Sequence, residues 1–277
     1  MSRPLGTAVI LVTLAVGLVS PAPVTARQPA ANRATLDGCR ERFVIVPGDD
    51  RAVRARVPAR YELARDAAGD PLLYVGAIRC ERYTARGTTA PTTAAAFAAM
   101  IKSPDGVGCT SQWPVVGDVK GDALSCNLYV LFAAYDNPMV VSWLRAGTPD
   151  LPVHHVEALR FLEDDLDAAG LSTGLRFHAG RPSPSPFDMD AVVRARPVET
   201  PFTATFWAET TSGTVRIRFQ SGDVALGHAE GTLRVAPGSE MARLLGSATA
   251  TGAAPFALIA GNRWRTASLT KDVIPSP

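Results

Sequence analysis

Leu128-Tyr129-Val130-Leu131-Phe132-Ala133-Ala134-Tyr135 is an unbroken apolar run of strand length, rich in aromatic and branched side chains. Asp136-Asn137-Pro138 stops it at once: Asp and Asn favour turns, and proline has no amide to donate. The run therefore reads as a buried strand ending in a tight corner. Met139 to Ala146 follow with a mixed apolar face, and Gly147 stands where a helix needs a left-handed closing residue. The stretch from Cys109 to Pro152 thus predicts a strand and then a short helix laid across one end of a sheet.

The start of the chain bears on compartment. Arg3 precedes an apolar core from Thr7 to Val19 and a polar, proline-bearing segment ending at Ala26, the pattern of a cleaved secretory signal over residues 1–26. The apolar core is too short for a membrane anchor, and no second transmembrane candidate follows, so no membrane span is expected after cleavage. Leu36-Asp37-Gly38-Cys39 contains an acidic residue and lies too far from the apolar core to be a lipidation box. Residues 27–38 read as a disordered leader and 39–277 as a single domain. A formal charge of +2, with arginines scattered instead of striped, argues against a nucleic-acid partner.

The four cysteines, Cys39, Cys80, Cys109 and Cys126, suit two disulfides in an exported chain. Three pairings are possible. Cys109 with Cys126 is favoured because the Gly- and Pro-rich loop between them can close on itself, which leaves Cys39 with Cys80. No C-x-x-C pair supports a metal site.

The first half mixes strands with short helices. Structure is expected to begin at Arg42, with a strand to Val46 ended by Pro47-Gly48. A helix capped by Asp49-Asp50 follows up to Val57-Pro58, and then a strand from Leu72 to Cys80. Ala90 to Ser103 is alanine-rich, and its second half reads as strand. Val156, Leu159, Leu162 and Leu166 fit a helix over Val153–Ala169 closed by Gly170. Beyond Leu175 come short strands: Leu175–His178, Ala191–Ala195, Phe202–Trp207, Thr214–Phe219 and Gly231–Val235. Val215, Ile217 and Phe219 alternate with polar residues, marking one dry face and one wet face. Ser239 then caps a brief helix closed by Gly246, and Arg181–Pro186 reads as an extended connection.

Several motifs suggest chemistry and fail on context. Gly170-Leu171-Ser172-Thr173-Gly174 matches a nucleophile elbow, but that elbow needs a strand before it and a helix after it, and here the order is reversed. His154 and His155 are adjacent, so they diverge on a helix or a strand and cannot readily share one ion. Glu163 to Asp167 is acidic but lacks calcium-loop spacing. His178 and His228 lie far apart in sequence with nothing to link them.

Asp50-Arg51-x-Val53-Arg54-x-x-Val57-Pro58 with Tyr61-Glu62-Leu63 resembles the short helix and Val-Pro exit after the first strand of the acetoacetate decarboxylase family. Val119-Lys120-Gly121-Asp122, Tyr129 and Tyr135-Asp136-Asn137-Pro138 resemble its central stretch. Pro237-Gly238-Ser239 before Leu244-Leu245-Gly246 is similar to wider relatives. The resemblance implies a β-rich barrel and, in the family, decarboxylation of a β-keto acid through a Schiff base on a lysine activated by a neighbouring cation and by desolvation. In the family that lysine belongs to a Lys-Lys pair. The matching stretch here, Gly147 to Pro152, has no lysine. Beyond the signal only Lys102, Lys120 and Lys271 occur, none adjacent to another. Lys120 stands between Asp118 and Asp122, which would raise its pKa.

These readings predict a secreted α+β, mainly β protein. Its expected core is an antiparallel, cone-like barrel of acetoacetate decarboxylase type with a few short helices, stapled by disulfides. No catalytic residue, metal or cofactor is assigned. The expected role is non-catalytic binding of a small apolar molecule in the barrel interior, since small inward residues leave cavities. The alternatives are an enzyme of another class, a lyase or hydrolase, and an envelope or extracellular interaction protein.

Overall fold

The chain is described from a computed structural model that covers residues 32–106, 127–157, 159–163, 175–179, 187–193, 198–251 and 258–275. In chain order the elements are β1 (Arg33–Pro47), α1 (Asp50–Arg54), β2 (Leu72–Ala85), β3 (Thr88–Ile101), β4 (Asn127–Tyr135), α2 (Pro138–Arg145), β5 (Val153–His155), β6 (Leu159–Glu163), β7 (Leu175–Ala179), β8 (Phe187–Val193), β9 (Val198–Thr210), β10 (Gly213–Val235), α3 (Glu240–Leu245), β11 (Thr249–Thr251) and β12 (Leu258–Ile274).

Pairing runs β12-β1-β2-β3-β4-β9-β10, and β10 pairs with β12 in turn, so these strands close into a barrel. The far half of β10 carries a lateral sheet of β8, β7 and β6. Most of the pairing is antiparallel, as expected. The exceptions are β4, which runs parallel to both β9 and β5. The β4–β9 seam is short, pairing only Asn127–Tyr129 with Thr205–Trp207. A buried bond from Trp207 Nε1 to Asn127 Oδ1, 2.9 Å long, pins it.

Strand alternation sorts the barrel wall into two apolar layers. On β3, Ala94, Ala96 and Ala98 face the interior cavity, while Ala95, Phe97, Ala99 and Ile101 join an outer cluster. That cluster is completed by Val53 of α1, by Leu159 of β6, and by Met241 and Leu244 of α3. Both faces of the wall are thus covered, which is why β4 is apolar at successive positions. The corner after β4 acts as a clamp. Thr93 N donates to Asp136 Oδ1 at 2.6 Å, and Asn137 Nδ2 donates to the Pro91 carbonyl at 2.8 Å. Asn137 Oδ1 also caps α2 by accepting from Met139 N at 3.0 Å.

The structure departs from the sequence expectations in four places. β1 starts at Arg33, not Arg42, so the end of the expected leader is strand; Ala34 and Leu36 are buried against β2 and β12. β3 is strand throughout, because its alanines fit between two packed layers. The expected helix from Val153 begins instead as β5 and β6, with residues 164–174 outside the described residues. Val153, Val156 and Leu159 are buried at a spacing of three, but Val153 pairs with Ala133 and makes a strand. Thr214–Phe219 and Gly231–Val235 are parts of one 23-residue strand, β10.

Candidate functional site

Cys39 stands directly opposite Cys80 in the β1–β2 register, and the two form a disulfide at the wall of the barrel. Cys109 and Cys126 lie outside the described residues, as do Lys120, Ser172 and Arg181–Pro186.

Inside the wall is a cavity of about 130 Å³. Small side chains make the space: Ala94, Ala96 and Ala98 of β3, Ala133 of β4, and Ala204 and Ala208 of β9. Val215, Ile217 and Phe219, the dry face read from β10, supply the larger surfaces. The polar side chains among the described lining residues are few: Glu41, Tyr74, Tyr83, Thr92, Tyr135 and Trp207, whose indole nitrogen is already bonded to Asn127. No lysine or arginine is among the described lining residues.

Tyr74 donates its hydroxyl to Glu41 Oε1. The ring reaches Glu41 by folding back over Gly76, where a Cβ would collide with the Tyr74 oxygen and ring and push them aside. Burial, and then the neighbouring Glu41 charge, push the Tyr74 phenol well above its usual range. Burial raises Tyr83 as well, with Tyr135 adding to it. Tyr135 is pushed up to about 12 by burial alone. All three phenols keep their protons at neutral pH, so the lining carries hydroxyls and no phenolate, with the Tyr74 hydroxyl already donating to Glu41.

The remaining candidates scatter. His154 and His155 fall on opposite faces of β5, with His154 against the Phe132 ring and His155 Nε2 at 3.2 Å from the Asp136 carbonyl. No metal-binding cluster exists among the described residues. Lys102 is an exposed partner of Glu62. Lys271, on β12, is only 5% exposed, yet it lies outside the cavity lining. Its Nζ donates to the Leu144 carbonyl at 2.6 Å, the Ala146 carbonyl at 2.7 Å and Thr148 Oγ1 at 2.9 Å, so the ammonium closes the end of α2.

Burial, and then the charge of Arg86, lower Lys271 to about 8 from an ordinary 10.5. Between those values the folded chain holds fewer protons than the unfolded chain, so stability rises with pH. The raised tyrosines act oppositely above about 10, where unfolded phenols ionise first. Urea unfolding is therefore expected to show wild-type stability climbing above pH 8 and turning over near pH 10. Between pH 7 and 9.5 the wild type should gain about 2 kcal/mol relative to Lys271→Met. Parallel curves for the two proteins would refute a proton-linked Lys271.

No family model matches the chain, and no characterised protein matches it in sequence. Among solved structures the chain is similar to acetoacetate decarboxylase, with a TM-score of 0.52 and 11% identity over 90% of this chain and 92% of that one. An acetoacetate decarboxylase-like enzyme from Sphingomonas wittichii RW1 superposes with a TM-score of 0.54 and 12% identity, covering 95% of this chain and 99% of the other. Acetoacetate decarboxylase from Legionella pneumophila gives a TM-score of 0.54 and 12% identity, covering 93% of each chain. The closed barrel with its lateral sheet is an acetoacetate decarboxylase-like fold.

The sequence missed Glu41, Tyr74, Tyr83 and Thr92 as site residues. Glu41 fell in a segment read as preceding the first strand, and the others depend on which face of a strand turns inward. Tyr135 stood at the end of the apolar run, and its position before a turn was the available signal.

Proposed function

We propose that this chain is a secreted, non-catalytic binding protein that encloses a small, mainly apolar molecule in its barrel. The carrying observation is the cavity of about 130 Å³ with its largely apolar lining. An engineered apolar cavity of about 150 Å³ stays dry and accepts benzene, so a space of this size matches a compact ligand. The Schiff-base chemistry of the fold's enzymes needs an amine at the substrate, and of the described lysines neither Lys102 nor Lys271 is on the lining. Export is supported by the composition of residues 1–26 and by the Cys39–Cys80 bond, which persists in oxidising compartments.

Native and denaturing mass spectra of the protein collected from the medium of its own kind of host test this reading. The expected result is a chain lacking residues 1–26, oxidised at Cys39 and Cys80, with added mass that is lost on denaturation. A bare mass, together with an unchanged melting temperature in benzene-saturated buffer, would remove the reading.

A further inference from the structure

Tyr83 is fully buried, at 0% exposure, and its hydroxyl has no hydrogen-bond partner. Buried polar groups are nearly always paired, so such an orphan calls for an explanation. Among the described residues, the other buried side-chain atoms in this state belong to Asp66, Arg145 and Glu240, none of which lines the cavity. Tyr83 does line it.

The backbone is arranged to put it there. The β2–β3 register shifts between Cys80 and Tyr83, so Glu81 and Arg82 are both exposed and Tyr83 turns back into the barrel beside Cys80. A bulge that re-aims one side chain is a recurrent device next to binding sites. The phenol keeps its proton, so it is a donor lacking an acceptor. Glu41, the one carboxylate among the described lining residues, takes the Tyr74 hydroxyl at another point of the wall, and Tyr135 supplies a further hydroxyl on the same lining. An anion entering this space would lose its water beside Glu41 with no lysine or arginine among the described lining residues to meet it.

From this geometry we infer that the cavity selects a compact, uncharged molecule carrying one acceptor oxygen of carbonyl type, received by the Tyr83 hydroxyl, and rejects carboxylates. The inference rests on the ligand-binding reading and adds the ligand's chemistry to it. Its test uses the full secreted chain and three probes: cyclohexanone, its isostere methylenecyclohexane, and cyclohexanecarboxylate. Affinities are measured by calorimetry for the wild type and Tyr83→Phe. Losing the hydroxyl is expected to weaken cyclohexanone about tenfold and to leave methylenecyclohexane unchanged or tighter, while the carboxylate binds neither protein. The ligand-free melting temperature of Tyr83→Phe should equal or exceed that of the wild type, since only an unpaired group is removed.

Equal cyclohexanone affinity in the two proteins, with methylenecyclohexane still bound, would overturn the inference and leave the binding reading standing. Carboxylate binding as tight as that of the ketone would overturn the charge selection. Binding of none of the probes by the wild type would defeat both readings.

Discussion

Replacing Ala96 by phenylalanine is expected to abolish binding in the barrel, weakening any cavity ligand by about a hundredfold or more. Ala96 sits mid-strand on β3, opposite Gly76 of β2 and Ala133 of β4, so the smallest residues of three neighbouring strands meet at one level of the wall. An aromatic ring projected from there enters the interior and takes up space that a ligand would need. Because the ring enters a void, the cost in stability should fall at the lower end of the ~1–3 kcal/mol typical of overpacking. Calorimetric titration with cyclohexanone, alongside Ala96→Ser as a size-conserving control, checks this. Undiminished affinity in Ala96→Phe would place the ligand elsewhere.

Opening the Cys39–Cys80 bond is expected to have the largest effect on stability. The two residues are 41 apart in sequence, and closing a loop of that length contributes about 4 kcal/mol by the chain-entropy account. The bond joins adjacent strands that are already in register over the whole of β1, so none of its effect depends on bringing β1 and β2 together from a distance in the folded state. Its action is on the unfolded chain, which it keeps from expanding. Urea unfolding of a Cys39→Ala, Cys80→Ala double variant should therefore show a lower midpoint and a larger m-value, as the unfolded ensemble gains surface. A midpoint shift worth under about 1 kcal/mol would contradict the loop-entropy account.

The fold was readable where periodicity and punctuation agreed. The run ending at Tyr135, the corner at Asp136-Asn137-Pro138, and the caps at Asp49, Ser239 and Gly246 all depend on neighbouring residues in the chain, and all were found in their expected roles. Alternation along β10 likewise identified Val215, Ile217 and Phe219 as one inward face. Long-range packing decided the rest. Alanine favours helices in isolation, and only the need for small residues between two apolar layers makes Ala94 to Ala99 a strand. The spacing of Val153, Val156 and Leu159 suits a helix equally well, and pairing with Ala133 overrides it. Tyr83 was the least legible of all, because a bulge suspends the alternation that would have placed Arg82 inside.

The circular pairing has a consequence for timing. β1 is hydrogen-bonded to β12, from Arg33 opposite Thr270 to Ile45 opposite Leu258, so the first of the described strands in chain order is completed by the last of them. Until β12 is present, β1 and β10 each keep a raw edge and the interior has no closed wall. Contacts spanning most of a chain make folding slow, since the entropy of closing the long loop is lost before the contacts form. A chain with this topology cannot seal its barrel until β12 has found both of its neighbours.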